Sequence, residues 1–306
     1  MYFVEGILIM ILVDYSQVAL ANLLSFKTEL VRGSEADIVN LIRHTTLSTL
    51  KYYKKKYGAE YGELVICCDG RKYWRRDIFE HYKAGRKKAR DASDLNWTLI
   101  FDTLSMIRNE LVENFPYKVI HLERAEADDV IAVLTKWTQD NGLVQTGLME
   151  EPQKVLILSS DADFIQLQDY SNVTQWSPMQ KKFVKANKKE IREKYITHVV
   201  KAGDDGIPNI LSADDVFVKG ERQKPVSSKR LQEFFEKGFD ACQNDTERRN
   251  WQRNATLIDF GFIPMDIQKE IVDTYINSKP VNDKMKLFEY LANNKCRLLL
   301  DEVEEF

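Results

Sequence analysis

The chain has no apolar run of membrane length. Its most hydrophobic early stretch, ILIMILV at residues 7–13, stops at Asp14, which suits a strand and falls well short of the roughly 20 residues a spanning helix needs. No basic flank precedes that run and no small-residue cleavage pattern follows it, so a secretory signal is not expected and an intracellular protein is. Cysteine and histidine are scarce, four of each. Cys67 and Cys68 are adjacent within an apolar run, while Cys242 and Cys296 stand alone, which excludes a disulfide framework. None of the histidines is spaced with a cysteine as a zinc site requires, so any metal would have to be a hard cation held by oxygen. There is no internal repeat and no low-complexity segment. The net charge of -3 argues against a uniformly basic nucleic-acid binder.

Positive charge is nevertheless concentrated. Residues 71–90, RKYWRRDIFEHYKAGRKKAR, carry nine Lys or Arg against Asp77 and Glu80, with Tyr73, Trp74, Phe79 and Tyr82 interleaved. Residues 181–194 carry seven against Glu190 and Glu193. Partitioned sign in a slightly acidic chain is the footprint of a phosphate-binding surface.

Short, nearly continuous apolar runs at 7–13, 64–68, 117–122 and 155–158 alternate with helix-periodic stretches at 35–57, 95–113 and 128–139. Strands apolar on both faces belong in a parallel sheet covered by crossover helices, so the expected class is α/β. WSPMQKKFVK reads as a small hairpin or loop, and beyond residue 190 short helices separated by loops are expected, with Pro208, Pro225 and Pro264 as punctuation. The division expected is 1–190 for the α/β core, including a basic excursion at 71–92, and 191–306 for a mainly helical region. The acidic segment DEVEEF at 301–306 reads as solvated.

Carboxylates follow each of the four runs: Asp14 after the first, Asp69 after the second, Glu126, Asp128 and Asp129 after the third, and Asp161 and Asp163 after the fourth. Ligands of open α/β sheets bind at the carboxyl ends of the strands, so seven acids converge on one edge. Taken alone, the Glu126–Asp129 cluster is better explained by helix N-terminal capping or surface exposure; the acids from the other strands invert that weight. A general acid–base pair needs two carboxylates, whereas seven are tolerable together only if cations neutralise them, and hard oxygen donors select Mg²⁺ or Mn²⁺. A two-metal site of this kind hydrolyses phosphodiesters. A second acidic element, GDDGIPN at 203–209, reads equally as a plain turn between helices or as Asp204 and Asp205 serving a second metal beside a phosphate-binding turn.

These motifs, LVDYSQVAL, YWRRD with YKAGRKKAR, EADD, LSSDADF, QWSPMQKKFVK and VKGER, resemble the structure-specific 5′ nuclease superfamily, which includes flap endonucleases, and within it the ribonuclease H branch of T-even type bacteriophages. The resemblance spans nearly the whole chain. It implies a PIN-like core with a central, mostly parallel sheet flanked by helices, a basic helical arch, and a helical C-terminal region with a helix-turn-helix element that grips duplex DNA. It implies a first metal bound by Asp14, Asp69, Glu126, Asp128 and Asp161, with Asp128 central to catalysis, and a second on the side of Asp129, Asp163, Asp204 and Asp205. It implies that Lys83, Arg86 and Lys87 contact phosphates near the cut, Lys83 and Arg86 within the reaction itself, with Lys88 and Arg90 in the same basic run. It implies further that Trp74, Arg75 and Arg76 help dock or position the arch, with the two arginines among the nucleic-acid contacts, and that Lys201 and basic residues of 219–230 contact duplex backbone. Stacking of Tyr82 on a displaced base is a reading of the residue itself. One departure stands out: the relatives separate the two aspartates of their GDxxDN motif, whereas Asp204 and Asp205 are adjacent here, and Asp205 fits the second position better.

The implied activity is 5′ to 3′ exonuclease and flap endonuclease cleavage of RNA–DNA hybrids and duplex DNA with two Mg²⁺ ions, removing RNA primers during phage replication. A monomer acting in the bacterial host's cytoplasm, away from membranes and alongside the phage single-stranded DNA-binding protein, completes that expectation. The rival readings are a noncatalytic DNA-junction clamp and a metal-dependent ribonuclease for single-stranded RNA.

Overall fold

In the computed structural model the described residues are 10–146 and 149–306, apart from the side chains at 87–89 and 144–149. The first three residues of the run expected at 7–13 lie outside them. The chain forms two compact units. One takes residues up to Gly70, Asp94–Lys185 and Met265–Phe306; the other takes Arg71–Ser93 and Ala186–Pro264. The basic excursion therefore groups with the helices after residue 186, and the last 42 residues return to the sheet-bearing unit, where a single break at 190 was expected.

The first unit is built on a six-stranded mixed sheet. Its strands are β1 (Met10–Asp14), β2 (Glu63–Cys68), β3 (Lys118–His121), β6 (Val155–Leu158), β7 (Val173–Ser177) and β8 (Lys182–Val184), while β4 (Leu143–Thr146) and β5 (Met149–Pro152) form a separate hairpin. The order is β3-β2-β1-β6-β7-β8. All pairings are parallel except β7 with β8. That antiparallel pair is the hairpin anticipated around WSPMQKKFVK, and its turn includes Lys181 at a left-handed φ of 52°.

β1 and β6 are buried along their whole length, as central strands covered on both faces must be. Helices Tyr15–Leu23, Glu35–Tyr61 and Trp97–Asn114 contribute the larger core with β1, β2 and β6. The helix Met265–Asn277 joins the unit through Tyr275, whose hydroxyl donates to Glu63 Oε1 at 2.8 Å and whose ring lies 3.9 Å below Lys118 Nζ. The segment 301–306 is not a solvated acidic run. Phe306 is buried edge-on against Phe115, Glu302 pairs with Lys51, and Glu305 pairs with Lys55 at 2.6 Å. Its apolar residues face the core while its carboxylates meet two lysines one helical turn apart, a pattern that a charge count alone does not distinguish from solvation.

The second unit has its own core of Phe79, Tyr82, Ile196, Val199, Val200, Ile207, Phe234, Trp251 and neighbours. Helix Lys188–Lys201 leads into the GDDG turn, but residues 208–227 after it are not helical; the next helix is Ser228–Lys237. Of the helix pair expected around the turn, only the first helix is adjacent to it. The stretch after the turn is stitched instead by side chains. Asn209 Nδ2 donates to Lys224 O at 2.7 Å, and Lys224 N donates to Ser212 Oγ at 2.9 Å.

Gly70 has the closest surroundings of the described glycines. Its N–H donates to Ala125 O at 2.7 Å, and a Cβ added there would lie 2.2 Å from Leu122 O and 2.4 Å from Glu123 O. Both obstacles are backbone, so a side chain would force β2 and the segment after β3 apart. Gly70→Ala is expected to cost about 2–4 kcal/mol of stability by overpacking, read from the urea midpoint; a change below about 0.5 kcal/mol, the range of an ordinary surface substitution, would show that the approach is not required.

Candidate active site

The parallel strands end in step, and their registers deliver the acids. Asp14 is the last residue of β1, opposite Cys67 of β2, and Cys68 stands opposite His121 of β3. Asp14 is 6% exposed and serves as N-cap of helix Tyr15–Leu23. Gln17 N donates to its Oδ1 at 3.2 Å and Ser159 Oγ to its Oδ2 at 2.9 Å. Asp69, one residue past β2, accepts from Ala127 N at 3.0 Å, so the close pass at Gly70 sets this carboxylate against the start of helix Ala127–Asn141.

At that helix start the acids do what the sequence left open between capping and metal binding. Glu126 is the N-cap, and it forms a reciprocal capping box with Asp129, whose Oδ2 accepts from Glu126 N at 2.9 Å. Asp129 and Glu126 are almost wholly buried, whereas Asp128, between them and one step around the helix, is half-buried. Past β6, Asp161 N takes a hydrogen bond to Ser159 Oγ at 3.1 Å, and Asp163 N donates to Asp161 Oδ1 at 2.9 Å. Asp161 is exposed and Asp163 half-buried.

The electrostatics show how close the carboxylates come. The Asp14 carboxyl is pushed up from 3.8 to about 7, first by burial, then by the neighbouring charge of Asp69, with Asp161 adding a smaller push and the donors Ser159 and Gln17 opposing. Burial drives the Cys67 thiol well up as well, with Asp14 and Asp128 among the contributing charges. Asp14, Asp69, Asp128 and Asp161 thus share one field at the carboxyl edge of the sheet. Among the described residues, no three His, Cys, Asp or Glu side chains stand gathered as metal ligands. Asp14, Asp69, Asp129 and Asp161 are each oriented by N–H or O–H donors instead. The donor set, all carboxylate oxygen, fits a hard divalent cation, and the rise of Asp14 is the mark of negative charge packed closer than burial favours.

Asp204 and Asp205 belong to the second unit, and there Asp205 meets the basic segment. Its carboxylate accepts from Arg86 through Nε at 3.0 Å and through Nη2, and from the Tyr82 hydroxyl at 3.3 Å, with Lys83 Nζ at 3.5 Å. Asp204 is exposed.

The basic segment is only partly helical, over Arg75–Ile78 and Gly85–Asp91. Arg75 is 3% exposed; its Nε donates to Leu257 O at 2.8 Å and its guanidinium lies 4.6 Å over the Trp74 ring. That makes it an internal anchor and takes it out of the expected set of phosphate contacts. Tyr82, expected to stack on a base, is 4% exposed and packs edge-on against Tyr73, so its ring is core of this unit. Lys83 is also buried, its Nζ 5.1 Å from the centres of both Tyr73 and Tyr82. Arg76, Arg86, Arg90 and Lys201 are exposed. The expected contacts Lys87 and Lys88 lie on the helix Gly85–Asp91, and their side chains are outside the described residues.

Residues of helix Asp245–Ile258 that sequence reading passed over hold the GDDG turn in shape. Asn254 Nδ2 donates to Val199 O and Pro208 O at 2.8 and 2.9 Å, Asn250 Nδ2 to Ile210 O at 2.9 Å, and Arg253 to Pro208 O at 2.8 Å. Two asparagines four residues apart on one helix face, both wholly buried, were the available signal.

A family model described as "5'-3' exonuclease, N-terminal resolvase-like domain" matches residues 10–196, and one described as "T4 RNase H, C terminal" matches residues 185–306. The chain is 34% identical to the ribonuclease H of Enterobacteria phage T4 over 96% of its own length and 95% of that protein. It is 28% identical to the flap endonuclease Xni of Shewanella woodyi over 59% of this chain and 63% of that one. Among solved structures, a T5 5′-exonuclease with divalent metal ions (zinc) bound aligns over 88% of this chain and 98% of its own at a TM-score of 0.57 and 14% identity. T5 D15 protein co-crystallised with metal ions aligns over 87% and 98% at 0.56 and 12% identity. At that identity the two structures establish the fold.

The position of Asp14 makes stability depend on pH in a definite sense. With the folded carboxyl near 7 and the ordinary value at 3.8, the folded state holds a proton that the unfolded state has lost across that window. Stability therefore falls as pH rises from about 4 to about 7 and levels above it, by at most about 4 kcal/mol for this group. Asp14→Asn removes that charge, so its melting temperature relative to the parent should be higher at pH 8 than at pH 5. Thermal melts at the two pH values, without divalent ions, measure it; an equal difference at both would mean the carboxylate is not under strain.

Proposed function

This chain belongs to the 5′–3′ exonuclease family, and on that premise we propose that it hydrolyses phosphodiesters in RNA–DNA hybrids and in duplex DNA bearing a 5′ end or flap. What supports the reading is that Asp14, Asp69, Asp128 and Asp161 lie at or after the carboxyl ends of neighbouring strands, where the charges of Asp69 and Asp161 add to burial in raising the Asp14 carboxyl to about 7. Carboxylates crowded to this degree suit a site whose working state contains cations.

Two Mg²⁺ ions, with Mn²⁺ as a substitute, would be held by Asp14, Asp69, Glu126, Asp128 and Asp161, with Asp129 and Asp163 in support, and would supply an activated water and neutralise charge on the departing 3′ oxygen. Everything else falls to the chain. Glu126 and Asp129 fix the start of helix Ala127–Asn141 through their capping box, and Asp128 is carried between them on a rigid element. Ser159 Oγ and Gln17 N hold Asp14 in one orientation, so its oxygens are aimed before any ligand arrives. Lys83 and Arg86 would take the phosphate oxygens near the cut and stabilise their charge as the bond breaks. Arg76, Lys87, Lys88 and Arg90 would add backbone contacts, and Lys201 with the turn that follows it would hold duplex remote from the cut. Such contacts position the substrate without reading its sequence. Selectivity for a 5′ terminus or junction then comes from shape, and removal of RNA primers on phage DNA, beside the phage single-stranded DNA-binding protein, is the setting that follows.

Cleavage of a 5′-labelled flap duplex, an RNA–DNA hybrid and an unstructured RNA in Mg²⁺, with and without EDTA, tests the reading. Short 5′ products from the first two substrates, abolished by EDTA, are expected. Asp128→Asn should lower turnover by about 10²-fold or more with DNA binding retained, and Arg86→Ala by about 10- to 10²-fold. Binding with no cleavage in Mg²⁺ or Mn²⁺ would replace this reading with a junction clamp, and equal cleavage of unstructured RNA would replace it with a single-strand ribonuclease.

A further inference from the structure

The two adjacent aspartates of the GDDG turn have different surroundings. Asp204 is exposed. Asp205 adopts a left-handed backbone with φ 54°, and its main-chain carbonyl accepts from Lys83 N at 2.6 Å. Lys83 is left-handed as well, at φ 59°. Two non-glycine residues in a region that L side chains seldom adopt, tied to each other by a short hydrogen bond, persist only where their surroundings over-determine them. Gly206, at φ 75°, passes so near that a Cβ would sit 3.0 Å from His81 O, so the turn and the basic segment are in backbone contact at Asp205 and again at Gly206.

The side chains repeat the interlock. One carboxylate oxygen of Asp205 accepts from Arg86 Nε and Nη2; the other accepts from the Tyr82 hydroxyl and faces Lys83 Nζ. The charge balance around it is therefore the reverse of that at Asp14. Asp14 is held by neutral donors and is pushed up by burial and then by other carboxylates, whereas the single negative charge of Asp205 meets two cations. A carboxylate already surrounded by an ammonium and a guanidinium repels an incoming divalent cation through those partners, and its oxygens are engaged.

From this we infer that Asp205 is a positioning residue for the cationic pair Lys83 and Arg86, and supplies no oxygen to a metal ion. The inference rests on the proposed function for the role of that pair at the substrate phosphate. The buried Lys83, 5.1 Å from the centres of two aromatic rings, is held by a counter-charge from the turn, and Arg86, on an exposed side chain, is fixed to the same carboxylate through two of its nitrogens. The turn, itself clamped by Asn250, Asn254 and Arg253, becomes the rigid support from which the cations are presented. Asp205 stands inside the reversal itself, in the turn closed by Ile207 N donating to Asp204 O at 3.0 Å, and from there it meets the basic segment.

The experiment compares the full-length parent with Asp204→Asn, Asp205→Asn and Asp205→Glu in three measurements. Mn²⁺ binding is followed by calorimetry without substrate, hydrogen exchange is followed at residues 82–86, and kcat and KM on the flap duplex are measured across a Mg²⁺ titration. For Asp205→Asn we expect unchanged Mn²⁺ stoichiometry with affinity within about twofold, exchange at 82–86 faster by about tenfold, and kcat lower by about tenfold at every Mg²⁺ concentration with the half-saturating Mg²⁺ unchanged. Asp205→Glu, which keeps the charge, should recover a substantial part of kcat. Loss of a Mn²⁺ site, or a kcat defect that high Mg²⁺ repairs, would overturn the inference and return Asp205 to the metal ligands. Unchanged exchange would overturn it too, since the backbone contact alone would then hold the segment. A parent protein inactive on every substrate would refute the proposed function instead, and the binding and exchange measurements would still decide whether Asp205 braces the basic segment.

Discussion

The sheet-bearing unit depends on one steric concession. Because Gly70 has no side chain, the chain leaving β2 passes against the carbonyls of Leu122 and Glu123 and hydrogen bonds to Ala125. That contact brings Asp69 onto the first N–H of helix Ala127–Asn141 and into the field of Asp14. Registers alone would place the strand ends side by side; the close pass turns neighbouring loops into a shared acidic edge. The acids crowded at 126–129, at the start of a buried helix, do two things at once. Glu126 and Asp129 cap the helix by satisfying each other's orphan N–H groups, and in doing so they carry Asp128 to a fixed place at its start.

Local pattern made much of this legible. The apolar runs 64–68, 117–122 and 155–158 became β2, β3 and β6 nearly residue for residue; β2 and β6 are almost wholly buried and leave an uninterrupted hydrophobic signature, while β3, at the sheet's edge, is mostly half-buried. The helices 35–57 and 95–113 differ from Glu35–Tyr61 and Trp97–Asn114 mainly at their ends, where capping rather than periodicity decides. Pattern could not reveal which side chains would turn inward. Arg75 and Tyr82 look like nucleic-acid contacts in a basic, aromatic run, and both are buried because that run folds back on its own unit. The same blindness made residues 301–306 read as solvated and split the chain at one point, since nothing local records that Met265–Asn277 packs beside β3.

The acidic edge and the cationic pair illustrate opposite uses of a carboxylate. At Asp14 burial and like charge combine, and the group is costly to ionise without a positive partner. At Asp205 the positive partners are built in, two residues of the chain converging on one carboxylate. A count of aspartates treats the two as equivalent. Their chemistry follows from what surrounds them, which is why nine acids in one sequence need not form one ligand set.

The placement of β1 has a consequence for how the molecule comes into being. The first strand among the described residues lies at the centre of the sheet, between β2 and β6, and the hydroxyl that orients Asp14 arrives 145 residues later on Ser159. A nascent chain emerging from the ribosome can pair β1 with β2 early, but the side of β1 that completes the acidic edge stays open until β6 has been made. Pairings of such separation are slow to close, so Asp161 and the Ser159 hydroxyl are the last to reach that edge, after the acids at and after the ends of β1, β2 and β3 have been made.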